Sequence, residues 1–412
     1  MPNPYREIFQ APGAFAFSGA GFIARLPASM VTLGIVTMLS ERRGEYAIAG
    51  AVAATFALAS ALITPQVSRL VDRYGQRRVL LPAAAGGALA LSGLMVATWT
   101  GAPNWLLFVF ALLSGVMPSI GAMVRARWTE FYRDTPQLRT AFAFESVVDE
   151  VIFIVGPILA IGLSVGLFPE AGPLAALIFL VVGVPLLCAQ RRTEPPVRAY
   201  VAGTDTSVIR VGGVQIVVLV MIAIGAIFGT AEITAVAFAE AQGQKAAASL
   251  PLAVYAAGSL IVGLVFGALR LKASLAMQFF AAIALAASTT LPLLAVTGLY
   301  SLALVFFMAG AAVSPTIIIA MGLVERLVPA RQLTEGMTWA ITGINIGMAA
   351  GASAAGILID AHGAQSGFWI SVGAGVAALL VVLIGYSRLR AERGNLARHC
   401  RLRTCNSGRF LR

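Results

Sequence analysis

Arg25 interrupts an apolar run, GFIARLPASM, and three carboxylates interrupt another, AFAFESVVDEVIFIVGP. A charge inside such a run is costly unless it is paired or hydrated, so these residues are the first candidates for chemistry. On a helix Glu145 and Asp149 lie one turn apart on one face, and Glu150 is turned away by about 100°. Arg25 lies about eleven residues into its run, and Asp149 and Glu150 a similar distance into theirs. At a rise of about 1.5 Å per residue all three reach a depth of roughly 15 Å. An Arg25–Asp149 or Arg25–Glu150 pair is therefore expected. Two readings stay open. The pair locks two helices together, or the carboxylate left over takes up and releases a proton, as coupling to a proton gradient requires.

The elements that position these groups follow from composition. The 412 residues are 59% hydrophobic and 11% charged, whereas a soluble domain carries about 25% charged residues. Apolar runs of about 20 residues argue for membrane-spanning helices and against an alternating β-barrel. Twelve spans are expected near 14–39, 46–64, 79–99, 104–125, 140–166, 172–189, 211–239, 246–268, 274–297, 299–323, 335–359 and 364–386. Residues 1–13 do not read as a cleavable signal. The connection 190–210, with Pro195 and Pro196, reads as a linker between a first six-helix half (1–189) and a second (211–386), followed by a basic tail (387–412).

The charge of +11 could suggest nucleic acid, but the basic residues are confined to short loops and the tail. Arg6, the 66–78 loop, Arg125 to Arg139, Arg191 to Arg210, Arg270, Lys272, Arg326, Arg331 and the tail fall on one side. Only Arg42, Arg43 and Lys245 fall on the other. This asymmetry puts both termini in the cytoplasm of a multi-pass cell-membrane protein. The tail reads as a disordered basic end, with contact to anionic lipid headgroups as its functional reading.

The halves echo each other at an offset of 195. Ser68 falls on Gly263 and Arg77 on Lys272. Gly115 falls on Gly310, with Pro118 and Pro315 just after. No catalytic constellation, metal-ligand set or Walker loop is present, so no enzyme, cofactor or ATP drive is expected. His399 with Cys400 and Cys405 has too few ligands at unconvincing spacing, and Cys188 reads as a small core residue.

The loop Asp72-Arg73-Tyr74-Gly75-Gln76-Arg77-Arg78 resembles the signature between spans 2 and 3 of major facilitator superfamily (MFS) transporters, roughly Gly-x-x-x-Asp-Arg-x-Gly-Arg-Arg. Ser68 stands where the first Gly is usual, and Gln76 replaces a basic residue. Gly156-Pro157 resembles the start of the Gly-Pro motif of MFS antiporters, without the glycines that usually follow. The resemblance implies an all-α fold of two six-helix pseudo-repeats that rock about a central site, and transport of the drug/proton antiporter kind. It makes Asp72 a cytoplasmic gate, with Arg73, Gly75, Arg77 and Arg78 around it. Arg125 and the start of span 11 at Thr334-Glu335 are the candidate partners of Asp72.

It also implies that spans 1, 4, 7 and 10 line the cavity, which puts Thr32, Pro118, Glu232 and Pro315 there, beside Thr234, Ser314 and Thr316. Glu232 would bind a proton or a cationic group, or simply face a watery vestibule. A mostly apolar cavity suits amphipathic solutes better than sugars. Proton-coupled efflux of a small organic molecule is the expected function. Uptake of a nutrient or organic anion through Arg25, and a non-transporting sensor on the same frame, are the alternatives. Gly343, Gly347 and Gly351 recur every fourth residue, so a neighbouring helix can approach closely, expectedly between the halves.

Cysteines introduced as Lys245→Cys and Arg210→Cys, with the native cysteines replaced by serine, should react with an impermeant maleimide from opposite faces of the membrane. Labelling of both from one face would refute the assigned sidedness.

Overall fold

The computed structural model describes residues 3–44, 46–197, 206–243, 249–269 and 271–407. Lys245, Arg270 and the last five tail residues lie outside them, as does linker segment 198–205. The described chain is helical: α1 (Pro4–Ile8), α2 (Ala14–Arg43), α3 (Tyr46–Tyr74), α4 (Gln76–Trp99), α5 (Asn104–Ser114), α6 (Ile120–Tyr132) and α7 (Gln137–Gly166), then α8 (Ala171–Ala189), α9 (Gly212–Ala241), α10 (Ser249–Ala268), α11 (Leu275–Thr290), α12 (Leu299–Leu327), α13 (Leu333–His362) and α14 (Phe368–Ser407). Among the described residues eleven helices are long and apolar enough to cross a bilayer. Helices satisfy every backbone group within one segment, which hydrocarbon demands.

The twelfth span differs from expectation. Residues 104–125 form two helices, α5 and α6, separated at Gly115–Ser119. Pro118 lacks an N–H, and its ring disfavours helix in the residue before it. Proline alone does not decide this, because Pro27, Pro65, Pro82, Pro157, Pro185 and Pro315 all stay inside continuous helices. At the break Met117 is buried, and its carbonyl accepts the Thr64 hydroxyl at 3.1 Å. A freed carbonyl at this depth is tolerated only with such a partner.

Two compact units result. Unit 1 comprises residues up to Asp205, with Leu260–Arg270 and Ala330–Thr342. Unit 2 comprises Thr206–Ser259, Leu271–Pro329 and the chain from Gly343. In unit 1, α2 packs on α8, α7 and α3, and α4 packs on α5 and α8. Arg42, at the end of α2, makes a two-pronged bond to Glu170 ahead of α8, at 2.7 and 3.0 Å. Those bonds hold the Glu170 carboxyl below its usual range. In unit 2, α9 packs on α14 and α12, and α11 on α12 and α14.

The repeat is visible in how glycines admit backbone. A side chain at Gly115 would strike Ala59 and Ser60 of α3, and one at Gly310 would strike Tyr255 of α10. Gly156 leaves room for Ser29 of α2, and its equivalent Gly351 leaves room for Ala226 of α9. This corrects one expectation. The stripe Gly343, Gly347 and Gly351 lies against Val218, Ile222 and Ala226 of α9, inside the second half of the sequence. Gly225 and Gly229 of α9 answer it against Ile344 and Met348. Small residues on both helices let the two backbones meet.

The tail corrects another. α14 runs on to Ser407, so the basic stretch continues the helix instead of forming an irregular end. Its Arg, Ala, Leu and Glu are good helix formers, and no proline intervenes.

Gly347→Val should lower the melting temperature of the purified protein markedly, because overpacking of this kind costs about 1–3 kcal/mol. Gly356→Ala, where an added carbon meets nothing within 4 Å, should melt like the parent.

Candidate functional site

Three helices of unit 1 bring four charges together: α2 supplies Arg25, α6 supplies Arg125, and α7 supplies Glu145 and Asp149. Arg25 Nη1 donates to Asp149 Oδ1 at 2.9 Å, and Arg125 Nη2 donates to Asp149 Oδ2 at 2.6 Å. Arg25 Nη2 also pairs with Glu145 Oε2. The other oxygen of Glu145 accepts the Trp128 indole N–H at 2.6 Å. One carboxylate thus bridges two guanidiniums, and a second is sealed between a guanidinium and an indole. The formal charges cancel.

Local sequence makes the room. Arg25 follows Gly21 by four residues, and Arg125 follows Gly121 by four. Each guanidinium also lies against the carbonyl of its own glycine, at 3.3 and 3.4 Å. A side chain at Gly121 would approach Arg125 Nη1 to 3.2 Å. Glu145, Arg125 and Arg25 are 0, 1 and 5% exposed, whereas Asp149 is 31% exposed. Asp149 is therefore the member of the cluster open to its surroundings. A charge inside a span is costly unless it is paired or hydrated, and Asp149 has both guanidiniums as partners.

Of the two expected pairs, Arg25–Asp149 forms, and Glu145 joins it. Glu150 is half-buried on the adjacent stretch of α7. Arg125 is a correction: expected against Asp72, it is placed on Asp149, because span 4 continues as α6 beyond residue 125 and carries Arg125 inward. The repeated Gly-x-x-x-Arg spacing on α2 and α6 was the available signal. Thr32 is half-buried on α2, Pro118 sits in the α5–α6 break, Glu232 is exposed on α9, and Pro315 is buried in α12.

The second cluster of unit 1 lies at the arginine-rich end. Asp72 caps α13, accepting the Thr334 N–H at 3.2 Å and the Glu335 N–H at 2.8 Å. A carboxylate at a helix N-terminus satisfies free N–H groups and meets the positive end of the helix dipole. One turn earlier the Thr338 hydroxyl donates to Ser68 at 2.8 Å, both side chains buried. The Ser that replaces the usual Gly thus has a partner. Gly75, at φ +92°, forms the whole corner between α3 and α4. Gln76 is buried, accepting Arg127 Nε at 2.8 Å and donating to Met123 O at 3.0 Å. A basic side chain there would face the buried Arg127 instead. Arg73, Arg77 and Arg78 are exposed, and the Arg77 N–H donates to Glu194 at 3.0 Å.

A third set went unread in the sequence. The Tyr5 hydroxyl donates to Leu264 O at 2.6 Å and the Thr140 hydroxyl to Gly267 O at 2.8 Å, so α1 and α7 both hold the end of α10. Burial pushes the Tyr5 phenol up to about 12.

The profile of the Major Facilitator Superfamily matches residues 17–238 and 212–401. The chain belongs to that superfamily. Among curated proteins no relative matches. Solved MFS structures share the fold. A bacterial homologue of the iron transporter ferroportin, outward-facing, aligns with TM-score 0.72 at 16% identity, covering 91% of this chain and 99% of its own. The human organic anion transporter MFSD10 (TETRAN) aligns with TM-score 0.65 at 15% identity, covering 93% and 100%. The E. coli fucose:proton symporter FucP aligns with TM-score 0.66 at 12% identity, covering 89% and 98%.

Asp72→Ala removes the cap of α13. A lost cap costs about 0.5–2 kcal/mol, so amides of the first turn of α13 should exchange hydrogen about 2- to 30-fold faster by mass spectrometry. Unchanged exchange would mean that the cap bears no load.

Proposed function

We propose that this MFS member is a secondary active transporter of a small organic solute, coupled to protons through Asp149. The observation that carries this reading is the exposure of Asp149 beside three charges that are sealed. A proton can reach Asp149 from the open space, and its arrival alters both ion pairs at once. Protonation removes the charge that holds α2 and α6 to α7. Breaking one partner of a buried ion pair costs about 3–5 kcal/mol, enough to bias helix packing. Glu145, held by Arg25 and Trp128, keeps the helices in register meanwhile.

Asp72 acts at the cytoplasmic end in this reading. Its cap on α13, the Ser68–Thr338 bond and the hold on α10 by Tyr5 and Thr140 fasten that end in one state of the cycle. Release of these bonds accompanies the opposite state. The first reading of the cycle is net export of an amphipathic solute in exchange for entering protons. A second reading, transport of an organic anion together with a proton, is favoured by one observation: both guanidiniums converge on the proton-carrying carboxylate.

In proteoliposomes with an imposed pH gradient and a trapped pH dye, parent protein should move protons when its solute is added, and Asp149→Asn should not. Movement that persists in Asp149→Asn assigns the proton elsewhere. The direction of the dye response separates exchange from co-transport. Asp72→Asn should leave expression intact and slow turnover; turnover at the parent rate would remove Asp72 from the gate.

A further inference from the structure

We infer that Arg25 and Arg125 form a binding site for a monoanionic organic carboxylate, which takes the place of the Asp149 carboxylate when Asp149 is protonated. The inference rests on the second reading above, an organic anion moving together with a proton on Asp149, and adds the class of solute and its seat. Its basis is the seat that Asp149 already occupies. Its two oxygens lie on separate guanidiniums at 2.9 and 2.6 Å. Planar guanidinium forks suit a carboxylate better than a point charge does. A carboxylate from a solute, entering from the side where Asp149 is open, would find the same two donors. Arg125 Nε, buried and without an acceptor among the described residues, leaves that guanidinium a further N–H.

Charge decides between solutes. With Asp149 ionised, Arg25 and Arg125 are balanced by Glu145 and Asp149. With Asp149 protonated, the cluster holds one positive charge too many, in surroundings that tolerate little imbalance. A monoanion restores neutrality. A neutral solute leaves the excess in place, and a cation adds to it. A cation binding ionised Asp149 must instead strip away both arginines.

The groups around Asp149 support this count. Arg25 faces it from α2 and Arg125 from α6, and Glu145 and Glu150 stand on its own helix. α8, which packs on α2 and α7, has no charged side chain. Glu145 stays committed to Arg25 and Trp128, so it does not compete for the vacated positions. Proton and anion therefore bind cooperatively, each strengthening the other by the same factor.

The test uses the purified full chain in detergent and three probes of one shape: benzoate, benzamide and benzamidine. Binding is read by calorimetry at about pH 6 and about pH 8, between which benzoate stays ionised. Benzoate should bind at least about tenfold tighter at the lower pH, a coupling of ordinary size, and the other two probes should show no such gain. Asp149→Asn, fixed in the neutral form, should bind benzoate tightly at both pH values. Arg125→Lys, which keeps the charge and loses the fork, should bind it weakly at both. Equal binding of benzoate and benzamide at about pH 6 would overturn the inference, as would parent-like pH dependence in Asp149→Asn. Proton movement by the parent chain without benzoate binding would sink the anion site alone. Tight, pH-independent binding by Asp149→Asn without proton movement by the parent would sink the coupling and keep the site.

Discussion

A carboxylate shared by two guanidiniums can persist inside an apolar bundle only when every neighbour cooperates, and unit 1 is built to that requirement. Asp149 needs α2 and α6 on either side of α7 within hydrogen-bond reach. Gly156 lets Ser29 of α2 come against α7, where the serine hydroxyl lies 3.0 Å from the Ile152 carbonyl. Gly183 of α8 brings that helix onto Ala24, one residue before Arg25. Gly21 leaves room for Val124 of α6, and Gly121 leaves room for the Arg125 guanidinium. Removing any of these glycines would push apart charges that compensate one another. The small residues and the ions are one arrangement: close backbones make short ion pairs, and short ion pairs offset the loss of water.

The internal repeat sharpens this. Packing is duplicated at the fixed offset, since Gly115 and Gly310 admit α3 and α10, and Gly156 and Gly351 admit α2 and α9. The chemistry is not. At the positions equivalent to Arg25, Arg125, Glu145 and Asp149 the second half carries Val220, Ala320, Ala340 and Ile344. Val220, Ala320 and Ala340 are fully buried. The scaffold was thus kept in both halves, while ionisable groups at these four positions stand in the first alone. The same contrast separates Pro118, where span 4 breaks, from Pro315, where α12 runs on.

What could be read in the sequence followed its physical contrast. Apolar runs against a scarce set of arginines located the spans, since lipid tolerates few alternatives. The Arg25–Asp149 pair was legible because depth along a helix is a matter of counting. Arg125 was misplaced because hydropathy ends span 4 near residue 125, while the helix continues to Tyr132 and carries a buried arginine and indole. Hydropathy cannot see a charge that is neutralised by another helix. The glycine stripe showed that a helix approaches α13 but not which one, for periodicity describes one surface without its mate. Ser68 and Gln76 looked like losses from a signature. Their partners, Thr338 and Arg127, are more than fifty residues away in the chain and invisible to local reading.

The bonds at the arginine-rich end differ in kind from those around Asp149. Asp72 holds backbone N–H groups, Thr140 and Tyr5 hold carbonyls, and Ser68 holds a hydroxyl. Each such bond contributes about 0.5–1.5 kcal/mol net, because water offers a substitute partner when it opens. Charge-assisted ones contribute somewhat more. Glu145, held out of water between Arg25 and Trp128, has no such substitute, and Asp149 alone of the cluster is open. An end fastened by several small, individually replaceable bonds can open stepwise, whereas a sealed charge cluster changes only when its charge changes. In the reading proposed above, that difference suits the first to a gate and the second to a switch, and it follows from where each group can find water.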